Sequence, residues 1–246
     1  MVCEWCWLGT MEYAAAWTLQ ERLAGDVALG VRPPMLLLLE HPHTYTLGRR
    51  ANKANLLWND EQRARMGVRV FEVDRGGDIT YHGPGQLVGY PILALAPPGW
   101  LGSRLPQADF IGYVRKLEAL LITTLAGFGI AAGTIAGKTG VWVSPTSDGS
   151  ADGWDPSAIS PGKIASIGVK IDVKGISRHG FALNIAPDRV YWDGIIPCGL
   201  EGVSMVSMAD FIHPEPPTAK VAGVLALQFG SVFNATMKEI SVPDLS

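Results

Sequence analysis

Cys198 stands in the run Gly194-Ile195-Ile196-Pro197-Cys198-Gly199-Leu200, between a proline and a glycine in an otherwise apolar turn. A lone cysteine is more often a small buried hydrophobe than a nucleophile. Its flanks suggest otherwise: a turn closed by Gly199 can expose the sulfur and set main-chain N–H groups beside it, as an acyl-transfer nucleophile and its oxyanion require. A free thiol has a pKa of about 8.5, so only a few per cent is thiolate at pH 7 and a neighbouring base or cation is needed.

Lys163 is the candidate for that neighbour. It opens Gly162-Lys163-Ile164-Ala165-Ser166-Ile167-Gly168-Val169-Lys170, a strand-like run of small and apolar residues. A lysine at a strand mouth is ordinarily a solvated flank. A desolvated lysine differs, because burial disfavours its charged form and makes it a usable base near neutral pH. An ammonium about 4 Å from the sulfur, at an effective dielectric near 20, would attract a thiolate by about 4 kcal/mol before desolvation costs. That could move the ionisation by a couple of units. Whether the two residues meet is a question for the fold.

The densest feature is Arg75-Gly76-Gly77-Asp78-Ile79-Thr80-Tyr81-His82-Gly83-Pro84-Gly85-Gln86, with four glycines in twelve residues after a strand-like run. Glycine lets a ligand lie against bare main chain, and Arg75, Tyr81 and His82 offer polar groups at the edges. The spacing is not the dinucleotide fingerprint, and the Gly-Lys-Ser/Thr ending of a phosphate-binding loop is missing. Both a binding loop and a hairpin with tight glycine turns fit this stretch.

These residues need a scaffold. At 246 residues with 48% hydrophobic side chains, the chain has material for one large core, and a single domain over residues 1–246 is expected. Spacing predicts an amphipathic helix over residues 11–24 with Thr10 as N-cap, a helix from Ala108 to Gly127 and a closing helix from Val221 to Val232. The run Met35 to Leu39, between Pro34 and Pro42, suits a strand buried on both faces. Further strand-like runs lie at Val68–Val73, Gln86–Leu93, Gly140–Val143, Ile164–Ile171 and Gly180–Ile185. Strands in pairs between three or four helices do not give strict alternation, so an α+β fold with a largely mixed sheet and packed helices is predicted. Residues 144–162 are rich in turn formers and read as a long surface loop, a lid or simply mobile.

The charge balance, 20 basic against 23 acidic residues, makes nucleic acid an unexpected partner. No apolar run approaches the roughly 18 residues needed to cross a bilayer. Glu4, Thr10 and Glu12 interrupt the N-terminus early, so no secretory signal is expected and the cytoplasm is the expected compartment. Cys3-Glu4-Trp5-Cys6 has the spacing of half a zinc site or a redox pair, but no second pair follows and no evident strand-to-helix turn holds it. The plain reading is two ordinary cysteines.

Together these segments resemble the lipoyl(octanoyl) transferases. The resemblance runs from Glu40-His41-Pro42-His43-Thr44-Tyr45-Thr46-Leu47-Gly48-Arg49 through the glycine-rich block, the lysine-led strand and His179-Gly180-Phe181-Ala182-Leu183-Asn184-Ile185 to Cys198-Gly199-Leu200, in the family's order. It implies a biotin/lipoate protein ligase-like catalytic domain enclosing a narrow acyl pocket. It also implies octanoyl transfer from octanoyl-acyl carrier protein to a lysine of lipoyl domains, those of 2-oxoacid dehydrogenase complexes and of the glycine cleavage H protein.

By position, Cys198 would carry the acyl group, and Lys163 would lower its pKa and exchange protons. Arg75, Gly76, Gly77, Asp78, Ile79, Thr80, Tyr81 and His82 would line the substrate site, with Ser166, Ile167, Gly168, Gly180, Phe181 and Ala182 as its other walls. His82 would assist proton transfer or orient a reacting group. No cofactor is implied. His41 and His43 come with no His-Glu-x-x-His or paired Cys-x-x-Cys set, so no catalytic zinc is expected, and the two are read as shaping the pocket rim. Because acyl carrier proteins are acidic, Arg49, Arg50, Lys53 and Arg75 are candidates for a docking surface. Three other readings stay open: an ATP-dependent lipoate or biotin protein ligase of the same fold, a non-catalytic acyl-binding protein with an inert Cys198, and an acyltransferase acting between two carrier proteins.

Overall fold

The computed structural model describes residues 1–96, 107–144 and 161–245. Along the chain run β1 (Val2–Thr10), α1 (Tyr13–Ala28), β2 (Met35–Glu40), β3 (Thr44–Leu47), α2 (Asp60–Arg65), β4 (Arg69–Glu72), β5 (Ile79–His82) and β6 (Gln86–Ile92). Then come α3 (Gln107–Ala126), β7 (Gly133–Ile135), β8 (Lys138–Val143), β9 (Gly162–Ile171), β10 (Ser177–Asn184), α4 (Thr218–Phe233) and β11 (Thr236–Glu239). Eight strands form one sheet in the order β11-β1-β2-β6-β10-β9-β8-β7, and β4-β3-β5 form a second. The large sheet is mixed, parallel across β11-β1-β2 and antiparallel from β2 to β7. The α+β class read from the sequence holds.

β2 shows why an unbroken aliphatic run makes a central strand. Successive side chains point to opposite faces. Leu36 and Leu38 join Leu117, Leu121 and Leu125 of α3 and Val221, Leu225 and Phe229 of α4 on one side. Met35, Leu37 and Leu39 meet Leu23 and Val27 of α1 on the other. All five are fully buried, each adding about 1.5–3 kcal/mol relative to an exposed side chain.

The N-terminal segment departs from expectation. Residues 2–10 form a strand, and α1 starts at Tyr13 after Glu12, whose side chain makes no capping bond. Thr10 is therefore the end of β1 and not a cap. The sequence pattern found the helix, but pairing of β1 with β2 and β11, which depends on distant residues, decides where it begins. Cys3 and Cys6 lie three apart on this strand and so face opposite ways, Cys3 into the core under α3 and α4 and Cys6 into the one under α1. Alternation alone rules out their acting as a pair. Most of the loop expected at 144–162 lies outside the described residues.

Where β6 pairs with β10, Phe181 is the register partner of Gly89, and a Cβ at residue 89 would overlap its ring. Gly180 in turn lies against the Gly89 carbonyl with no room for a side chain. Gly89→Ala is expected to lower stability by about 1–3 kcal/mol through overpacking, read from the denaturant midpoint. A change within about 0.5 kcal/mol would show that the ring is not held there.

Candidate active site

Lys163 and Cys198, 35 residues apart, meet: Lys163 Nζ donates to Cys198 Sγ at 3.3 Å. Lys163 is the second residue of β9 and is 3% exposed. Its main chain is fixed from both sides, the N–H donating to the Ser204 carbonyl at 2.9 Å and the carbonyl accepting from Val206 at 3.1 Å. The stem crosses Gly140, where a Cβ would come within 2.7 Å of Cε. The ammonium stands 5.5 Å from the centroid of the Trp142 ring, whose negative face attracts a cation. Among the described residues no carboxylate lies within ion-pair distance of Nζ, and the sulfur is the group in contact able to carry a negative charge.

Cys198 occupies the middle of a short 3-10 turn, Pro197–Gly199, with φ 58° and ψ 16°. A non-glycine residue in the left-handed region costs about 1–3 kcal/mol and persists when its surroundings over-determine it. Here they do. Asp78 Oδ1 accepts from the main-chain N–H groups of Asn52 and Ile79 at 3.0 and 2.7 Å, while Oδ2 accepts from Asn55 Nδ2 at 2.6 Å. The Asn55 carbonyl takes the Ile196 N–H at 2.8 Å, and Gly199 packs so close to Asp78 that a Cβ would come within 2.6 Å of Oδ2. Asp78 thus holds the cysteine turn. Asn55 was missed in the sequence, where nothing marks it. The N–H groups of Gly199 and Leu200 close the turn onto Ile196 and Pro197, so they are not the free oxyanion donors that the motif suggested. Lys163 and Ser166, whose Oγ is 4.0 Å from Sγ, are the polar side chains at hand.

The dyad opens onto a cavity of about 450 Å³, a size typical of small-molecule pockets. Of the residues expected to line it, Arg75, Gly76, Gly77, Asp78, Thr80 and His82 do so, as do Ser166, Ile167, Gly168, Gly180, Phe181 and Ala182. Ile79 and Tyr81 do not. They alternate with Thr80 and His82 along β5 and point to its other face, into an aromatic cluster with Tyr45 and Ile195. Val88, Phe110, Val114 and Val169 add apolar wall, and Tyr13, Tyr90 and His179 add polar surface. The spacing of Phe110 and Val114 marked them only as helix residues.

Arg75 is buried and donates to neutral oxygens, to the Thr46 carbonyl and hydroxyl at 2.7 and 2.8 Å and to the Gly76 carbonyl at 2.9 Å. Burial lowers its pKa. It is therefore not a surface docking residue. Lys53 is ion-paired with Glu72 at 2.7 Å, whereas Arg49 and Arg50 are exposed and Arg50 borders the cavity. His41 is fully buried, bonded to the Met11 carbonyl and to Tyr90 Oη at 2.7 Å each. His43 stacks on Tyr191 at 3.8 Å. Neither histidine lines the cavity, so the rim reading fails for both.

Residues 12–230 match the family described as lipoyl protein ligase A/B catalytic domain. The chain is 42% identical to an octanoyltransferase of Chloroflexus aurantiacus over 92% of each chain. With one of Acidobacterium capsulatum the identity is 43%, over 95% of this chain and 91% of that one. The chain belongs to the lipoyl protein ligase A/B catalytic-domain family, among its octanoyltransferases.

Solved structures of the same fold include a bi-partite lipoate protein ligase from Thermoplasma acidophilum, 15% identical, with a TM-score of 0.70 over 100% of this chain and 89% of that one. A lipoate-protein ligase A bound with ATP gives 0.68 at 14% identity, over 100% of this chain and 91% of that one. At such identities the likeness concerns fold alone. Within the octanoyltransferase fold the three thiols sit in unlike surroundings. Burial, with Glu4 nearby, pushes the Cys3 pKa up to about 12, and burial, with Glu239 and Asp244, raises that of Cys6. Both are closed to solvent, while Cys198 is part-exposed. Limiting iodoacetamide at pH 8 is expected to modify Cys198 alone, read by peptide mass. Comparable labelling of Cys3 or Cys6 in folded protein would contradict this electrostatic picture.

Proposed function

We propose that this chain moves an octanoyl group from octanoyl-acyl carrier protein to a lysine of a lipoyl domain, by way of a thioester on Cys198. The 3.3 Å contact between a buried lysine and a cysteine at the mouth of a partly apolar cavity carries the reading. An apolar wall suits a hydrocarbon tail, and the dyad supplies a nucleophile with a proton carrier beside it.

The atoms balance in two half-reactions. The Cys198 thiolate attacks the carbonyl carbon of the donor thioester, the oxyanion faces Lys163 and Ser166, and the donor's C–S bond breaks. The departing carrier thiolate takes a proton from the Lys163 ammonium, leaving a neutral amine. In the second half that amine takes the proton from the acceptor's attacking lysine. The new C–N bond forms, the Cys198 thiolate leaves, and Lys163 is an ammonium again. A thioester is already activated, so this route consumes no ATP.

The acceptors would be the lipoyl domains of 2-oxoacid dehydrogenase complexes and the glycine cleavage H protein. Intact mass is expected to show one octanoyl adduct after mixing with octanoyl-acyl carrier protein without ATP. The adduct should be lost in Cys198→Ala, formed at least about a hundredfold more slowly in Lys163→Ala, and transferable to an added lipoyl domain. Modification that requires ATP would establish the ligase reading instead; none under either condition would leave a binding protein. Arg49→Glu, exposed and away from the cavity lining, is expected to slow acylation by the carrier-bound donor several-fold at low salt, with little change for a small octanoyl thioester. Equal slowing with both donors would exclude Arg49 from carrier docking.

A further inference from the structure

His82 sits in a chain of hydrogen bonds whose direction can be read atom by atom. At its far end Asn184 Nδ2 donates to the Val206 carbonyl at 2.9 Å. Asn184 Oδ1 then faces back and accepts from Gln86 Nε2 at 2.9 Å. Gln86 Oε1 is left as an acceptor, so His82 Nδ1, 2.9 Å away, must carry the proton it donates. A neutral ring protonated at Nδ1 has Nε2 as an acceptor, and Thr46 Oγ1, 3.3 Å away, is the hydroxyl that donates to it. Thr46 Oγ1 accepts in turn from Arg75 Nη2 at 2.8 Å. Every link points the same way, from the buried guanidinium to the Val206 carbonyl.

Both ends of this chain belong to the site. Arg75 and His82 line the cavity. At the other end Val206 donates its own N–H to the Lys163 carbonyl, and Lys163 donates its N–H to Ser204. The segment that receives the chain therefore fixes the main chain of Lys163 as a parallel bridge at Met205. Gln86 and Asn184 are buried and do not line the cavity. Hydrogen bonds aligned in one direction polarise one another in a low-dielectric interior, and an interruption leaves buried groups unsatisfied.

We propose that Thr46, His82, Gln86 and Asn184 form a directed relay that positions Lys163 against Cys198, with His82 held as the neutral Nδ1–H tautomer and taking no part in proton transfer. The inference deepens the acyl-enzyme reading and rests on it only for the kinetic arm of its test. The ionisable groups around the His82 ring are Arg75, His41, His179 and Tyr13, none of them a carboxylate that would favour an imidazolium. Burial, then His41 and Arg75, places its pKa well below the usual histidine value. The direction of the amides, fixed by the Val206 carbonyl, selects the tautomer.

Nitrogen-15 NMR of protein labelled at histidine, with His82 assigned by difference from His82→Asn, reads the tautomer in the unaltered chain. One ring is expected to stay neutral and protonated at Nδ1 from pH 6.5 upward, where an ordinary histidine is still partly protonated. An Nε2–H tautomer, or an imidazolium in that range, would overturn the relay. Kinetics supply the second arm. Gln86→Met and Asn184→Leu each interrupt the chain without entering the cavity. Each is expected to lower kcat for acylation by a small octanoyl thioester about tenfold, with KM within about twofold. Alkylation of Cys198 at pH 7 should slow in parallel. A folded variant that keeps kcat and alkylation within twofold of the unaltered protein, or that changes KM alone, would overturn the positioning role. Alkylation and NMR need no acyl transfer, so absence of an octanoyl adduct on unaltered protein would reject the acyl-enzyme route while these two measurements still decide the relay.

Discussion

Taking the Lys163 ammonium out of water leaves it 3% exposed between an indole face and a sulfur at 3.3 Å, and an unpaired charge so placed would cost several kcal/mol. The indole quadrupole recovers part of this, about 2 kcal/mol for a desolvated pair. The sulfur at contact distance is the remaining partner, and its attraction for the ammonium grows as water is excluded. The same logic explains the bare main chain at Gly140, where a side chain would push the ammonium away from the sulfur.

Such a contact depends on holding two separate segments in register. Lys163 belongs to a strand paired on both sides, with Ser204 and Val206 bracketing its main chain. Cys198 is held in a left-handed conformation that its neighbours must maintain, and Asp78 does so from the glycine-rich block. That block thus does more than line the cavity. Asp78 and the even positions of β5 serve the cavity side, while Ile79 and Tyr81 pack into the aromatic cluster that supports the same turn through Ile195. One strand, by its alternation, supports both the cavity and the turn that carries Cys198.

Much of this was legible in the sequence because it depends on local patterns. The aliphatic run at Met35–Leu39 suits a strand buried on both faces, and the period of α3 and α4 sets their extent to within a few residues. The chemistry-bearing segments were visible as departures from such patterns: glycines crowding after a strand, a lysine opening an apolar run, a cysteine between proline and glycine. What escaped was decided between distant segments. β1 and β11 are held by pairing, β11 with β1 and β1 with β2. Asn55 holds the cysteine turn through Asp78, 23 residues away in the chain, and no spacing rule reaches it. The free N–H groups expected beside Cys198 are not there, because the turn uses those of Gly199 and Leu200 to close itself.

The fold is shared with lipoate protein ligases at identities of 14% and 15%, so the scaffold alone does not select a reaction. A buried ammonium needs a group beside it that can carry negative charge. Here Cys198 stands at contact distance within a turn whose left-handed backbone is maintained by a carboxylate with four anchoring contacts: Asn52, Asn55, Ile79 and the face of Gly199. Conformational strain of about 1–3 kcal/mol is tolerated at one residue because the large sheet, packed on both faces, supplies stability elsewhere. Under the proposed acyl-enzyme route, a sulfur fixed in this way would meet an incoming thioester without rearrangement of its own, which is the condition for converting proximity into rate.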